Sequence, residues 1–163
     1  MKTTKKSIER LGVVTGLMTS VLLIGYFLLM QALHLAHITE LRYFNFLILL
    51  TGLLFAYRNF REPEHNIPYL PGIGLGIITT LASIFPFAGF MYAYFTYINP
   101  DFFEALKNSG TLMMGSYINP LAASGIVIAE GLASGAILSF AFMQYYKSGF
   151  ELHEKGKWGV YNS

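Results

Sequence analysis

From Leu11 to Thr39 the chain runs 29 residues without one Asp, Glu, Lys or Arg. An α-helix rises about 1.5 Å per residue, so about 20 apolar residues cross the roughly 30 Å hydrocarbon core of a bilayer. The run is long enough, and it predicts a spanning helix over residues 11–34. Between Arg42 and Arg58 lie 15 uncharged residues. Extended by Leu41 and by a snorkelling Arg58, they predict a span over 41–58. Residues 69–98 form a third span, interrupted by Pro86, and residues 120–146 a fourth, which contains Glu130. The expected fold is all-α, an integral membrane four-helix bundle in a single transmembrane domain over residues 1–163.

Composition removes the competing classes. Apolar residues make up 54% of the chain and charged ones 12%, against about 25% charged in a soluble domain. Disordered chains show the reverse, few apolar residues and high net charge. A net charge of +2 is too small for a nucleic-acid binder, which gathers Lys and Arg on one face. There is no cysteine, which excludes disulfides, thiolate metal sites, iron–sulfur clusters, cysteine nucleophiles and lipoprotein processing.

Lys2, Lys5, Lys6 and Arg10 precede the first run, as they would in a secretory signal peptide. A signal-peptide core is about 7–15 residues long and ends at a small-residue cleavage site. This run is about twice that length and QALHLAH offers no A-x-A, so it is read as a retained span. With the N-terminus in the cytoplasm, nine of the eleven Lys and Arg residues are cytoplasmic, and only Arg42 and Lys107 lie outside. The positive-inside rule therefore predicts both termini in the cytoplasm. Tyr43, Tyr97 and Tyr117 near the outer ends, and Tyr57, Tyr69, Tyr145 and Tyr146 near the inner ones, fit interfacial belts.

The tetrapeptide YINP occurs at residues 97–100 and again at 117–120. Each copy reads as a helix start, with Asn at the N-cap and Pro at the first helical position, where a missing N–H costs nothing. The first opens a short segment over residues 100–109, with Asp101 and Glu104 early and Lys107 late, as the helix dipole favours. This segment is expected as an interfacial helix between spans 3 and 4, turning Phe102, Phe103 and Leu106 toward lipid. The second copy opens span 4.

These features come in a definite order: a short second span, the basic inner loop RNFRE, a Gly-rich third span, INPDF with its surface segment, and a fourth span ending in a polar tail. That order resembles the small bacterial membrane proteins grouped as domain of unknown function 4199. The resemblance runs from Leu11 to Lys147, with Ile98–Phe102 its sharpest residues. It implies a four-helix protein of the bacterial inner (cytoplasmic) membrane and brings no catalytic or ligand residue with it.

PGIGLG at the start of span 3 contains Gly72, Gly74 and Gly76. A nucleotide-binding reading needs a preceding strand, a following amphipathic helix and a ribose-binding acid, and none is present. Gly72 and Gly76 instead have the small-xxx-small spacing that lets membrane helices approach closely. Span 4 repeats the pattern: Gly131 and Gly135 lie one turn apart, and Gly125, Ala129 and Ala133 form a neighbouring ridge. Span 4 is therefore expected to pack in the interior or to dock a partner. His34, His37 and Glu40 fall at i, i+3 and i+6. With no second ligand set in view, they read as polar groups at a helix end rather than a metal site. No metal, cofactor or nucleic-acid partner is expected. The tail, with Glu151 and Lys155 at helical spacing and Trp158, reads as an interfacial anchor.

Glu130 most needs an explanation. Ten residues beyond Pro120, it stands about 15 Å into the bilayer, near the midplane. A carboxylate there costs a few kcal/mol. No Lys or Arg lies near the middle of any span, so Glu130 is expected to face the interior in protonated form. Ser20, Thr51 and Ser83 fall near the middle of their own helices and complete the expected intramembrane polar site. Pro86 has no N–H for the Ala82 carbonyl, which makes that carbonyl a further acceptor for Glu130.

Two functions fit these features. One is a non-catalytic accessory or scaffold subunit, joined to other membrane subunits or to itself through span 4. The other is a small proton-coupled transporter or channel using Glu130, with the broken third span as its mobile element. No inverted repeat supports the second reading. An enzyme is not expected, because acid–base chemistry needs a positioned partner for the single intramembrane acid.

Overall fold

The computed structural model describes residues 2–33, 35, 43–60, 69–108 and 118–161, and no strand occurs among them. The elements are α1 (Lys2–Ala32), α2 (Tyr43–Phe60), α3 (Tyr69–Ala93), a π-helical turn (Tyr94–Ile98), α4 (Pro100–Asn108) and α5 (Pro120–Tyr161). Three helical stretches are long and apolar enough to cross a membrane: Ile8–Ala32, Tyr69–Ile98 and Pro120–Tyr145. The expected second span is present as α2, but its 18 residues include Asn45, Arg58 and Asn59, and it is not among those three. α5 continues past the expected end at residue 146 because no proline follows to stop it. Its 42 residues extend about 63 Å, roughly twice a bilayer core.

α3 is the central helix, packed against α1, α5 and α2. α1 runs parallel to it: Gly12 faces Ile78, Gly16 faces Thr79 and Ala82, and the rings of Phe27 and Tyr94 meet at 5.0 Å. α5 runs antiparallel to α3, with Gly131 on Ile84, Gly135 on Thr80 and Ser139 on Gly76. α2 runs antiparallel to α1, with Gly52 on Thr19 and Phe44 on Tyr26. A Cβ on Gly16 would stand 2.6 Å from the Thr79 carbonyl oxygen and 2.5 Å from the Ala82 Cβ. Only glycine there lets α1 lie directly on the α3 backbone. Gly12 and Gly16 are a G-x-x-x-G pair, and they create the most extensive helix seam in the molecule.

Both YINP segments form the caps expected of them. Asn99 Oδ1 accepts from the Phe102 N–H at 3.1 Å, and Asn119 Oδ1 accepts from the Ala122 N–H at 2.7 Å. Before the first cap the helix widens, and the Asn99 N–H donates to the Tyr94 carbonyl five residues back at 2.9 Å. This π turn ends α3 and redirects the chain into α4.

α4 corrects one expectation. Its apolar side faces the protein, not lipid: Phe103 is buried, and Phe102 and Leu106 pack on the same cluster. The aromatic floor beneath it explains why. Phe103 meets Phe95 at 5.1 Å, and Phe102 meets Phe27 at 6.3 Å. The polar side stays outward, with Lys107 Nζ 3.3 Å from Glu104 Oε1.

Candidate functional site

Eight hydroxyl side chains of Ser and Thr are buried among the described residues: Thr15, Thr19 and Ser20 on α1, Thr79, Thr80 and Ser83 on α3, and Ser124 and Ser139 on α5. Seven of them donate to a carbonyl three or four residues earlier in their own helix, at 2.7–2.9 Å. Local bonding of this kind lets a helix carry Ser and Thr in an apolar interior, and the small side chains let its neighbours come close. Ser20 is the exception. It is 2% exposed and its Oγ has no hydrogen-bond partner among the described residues.

Where α2, α3 and α5 meet, Tyr57 joins them. Its hydroxyl donates to the Gly72 carbonyl at 2.9 Å. It also stands 2.6 Å from where a Cβ on Gly76 would lie, with Ser139 Oγ closer still. Gly72 thus supplies the acceptor and Gly76 the room. Tyr57 is fully buried, not part of an interfacial belt. The signal was its spacing: Tyr57 continues the buried line of Leu49, Leu53 and Ala56 along α2.

The expected polar site around Glu130 does not assemble in the chain. Glu130 is exposed on the outer side of α5, and Thr51 is exposed on α2, where it donates to the Leu47 carbonyl at 2.8 Å. Ser20 and Ser83 are buried, on the neighbouring helices α1 and α3. Helical geometry accounts for the correction. Gly131, Gly135 and Ser139 point at α3, and Glu130 lies about 100° around the helix from Gly131.

The same geometry divides the small residues of α5. Gly131 and Gly135 serve internal packing, because a Cβ on either would enter Ile84 or Thr80. The neighbouring ridge does not. A Cβ on Gly125 would meet nothing within 4 Å, and Ala129 and Ala133 are exposed, as are Ala122 and Ala136. Of the expected packing residues, Gly72, Gly76, Gly131 and Gly135 are used within the chain, and Gly125 and Ala129 are not. Glu130 lies at the edge of that open ridge.

Three more buried polar atoms are without a hydrogen-bond partner among the described residues: Gln31 Oε1, Asn45 Oδ1 and Thr96 Oγ1. Each sits toward the α4 end of a different element, a feature not legible in the sequence. Among the described residues no group of His, Asp or Glu stands ready to hold a metal ion. His34, His37 and Glu40 lie outside the described residues.

The fold and its seams define an all-helical protein with three helices fit to cross a membrane. A family model described as Protein of unknown function (DUF4199) matches residues 10–139, and the chain belongs to that family. Its resemblance to domain of unknown function 4199, read from INPDF and the order of the spans, is thereby confirmed. No curated protein and no solved structure matches the chain.

Proposed function

We propose that this protein is a non-catalytic accessory or scaffold subunit of a membrane complex, docking another membrane subunit through the outer face of α5. The observation that carries this is the open ridge of Gly125, Ala129 and Ala133 on that face. In lipid, helices associate where small residues let backbones approach, and the inner face of α5 already uses that device against α3. Glu130 is exposed at the edge of the ridge. A partner helix laid on the ridge fills that open surface.

In this reading the chain sits in a bacterial inner membrane with both termini cytoplasmic, and α2 is the fourth crossing. The Lys and Arg asymmetry supports the orientation, and Arg58 in the last turn of α2 can reach the inner interface. The second reading, a small proton-coupled transporter or channel using Glu130, places that exposed residue between copies of the chain rather than inside one.

The test is site-specific photo-crosslinking in native membranes, with the crosslinker at Ala129 or, as a control, at exposed Val21 on α1. The expected result is one defined protein adduct from Ala129 and lipid adducts from Val21. Lipid adducts from both positions would contradict the proposal.

A further inference from the structure

Among the described residues Ser20 is the one fully buried Ser or Thr in the α1–α3 seam whose hydroxyl lacks a hydrogen-bond partner, and its place in that seam is set by register. Gly12 lies against Ile78 and Thr79, Gly16 against Thr79 and Ala82, and Phe27 against Tyr94. The two helices are parallel, so one turn beyond Gly16 brings Ser20 level with the turn that joins Ala82 to Pro86. Helix carbonyls point toward the C-terminal end, each to the N–H four residues on. The Ala82 carbonyl therefore points toward that level, and Pro86 has no N–H to give it. A Cβ on Gly16 would stand 3.2 Å from the Ala82 carbonyl carbon, so this carbonyl lies at the surface that α1 covers.

We propose that a single buried water molecule bridges Ser20 Oγ and the Ala82 carbonyl. The water donates one proton to the carbonyl, in place of the missing Pro86 N–H, and accepts the Ser20 hydroxyl proton. Both orphaned groups are satisfied at once. Interior proline is tolerated in membrane helices where neighbouring side chains and ordered waters take up the freed carbonyl, and a buried water needs two to four polar partners. The site is a polar joint between α1 and α3 at the proline break, independent of the docking face on α5.

A double-mutant cycle on the full chain, read by reversible unfolding in detergent, tests the coupling. Pro86→Ala returns an N–H to the Ala82 carbonyl. With Pro86 in place, Ser20→Ala lowers the folding equilibrium constant about threefold, the size of an average intramembrane hydrogen bond. In the Pro86→Ala background the same substitution leaves the constant unchanged. Equal effects in the two backgrounds overturn the proposal. A structure that resolves ordered water identifies the ligand, and it decides alone if Pro86→Ala fails to fold. Density between Ser20 Oγ and the Ala82 oxygen supports the water. A direct bond between the two groups, or no density, overturns it.

Discussion

Toward the α4 end, the helices meet through rings. Phe27 of α1 touches Phe90 and Tyr94 beyond the proline break, and Phe102 of α4, at 5.0–6.3 Å. Toward the other end the same helices meet through glycines and hydroxyls, with Gly16 on the Thr79 backbone, Gly135 on Thr80, and Gly76 under Tyr57 and Ser139. Neither end gains by expelling water if the surroundings are lipid, so contact and hydrogen bonding must do the holding. Small residues do it by bringing backbones together. Rings do it with large surfaces, which suits the end where α4 folds back onto the bundle. One helix, α3, thus uses both methods along its length, and Pro86 falls between them.

Substitutions in the small-residue region should disrupt the whole bundle. Gly16→Leu drives a side chain into the Thr79 carbonyl and Ala82, and its expected cost is about 3 kcal/mol or more, enough to remove the cooperative unfolding transition in detergent. The aromatic region should fail more locally. Phe103→Ala removes a ring that is 4% exposed and is expected to cost about 3 kcal/mol. Hydrogen exchange should then rise in α4 and the π turn while the Gly12–Gly16 seam stays protected. A uniform rise across all helices would show that the two regions are not separable.

Smaller changes separate the two ends further. Asn99→Ala and Asn119→Ala each remove a cap worth about 1 kcal/mol. The first should free α4 alone, and the second the start of α5, as amide exchange at Phe102 and Ala122 would report. Tyr57→Phe deletes the hydroxyl that bonds Gly72 and keeps the ring. Its expected cost is about 0.6 kcal/mol, read as a small drop in unfolding midpoint.

Much of this was legible in the sequence, because length, charge and capping are local properties. The charge-free runs form helices and both Asn-Pro caps appear where expected. What could not be read was direction around a helix. α5 carries apolar or small residues on every side, so depth along it placed Glu130 at mid-membrane but said nothing of the face it occupies. The apolar side of α4 looked lipid-facing for the same reason: an aromatic floor built from Phe27 and Phe95 is visible only once the helices are assembled. Gly12 and Gly16 were legible as G-x-x-x-G but lie within a run whose apolarity masks the motif.

Assembly through α5 is tested at its root by the mass and composition of the particle extracted from native membranes in polymer nanodiscs, for the natural chain and for Gly125→Leu with Ala129→Leu. Both positions are exposed, and a Cβ on Gly125 meets nothing inside the chain, so the fold should survive. The natural chain is expected to come out with a stoichiometric membrane partner, and the double substitution to release a folded single chain. A natural chain extracted alone, or a partner retained after both substitutions, would contradict docking through this face.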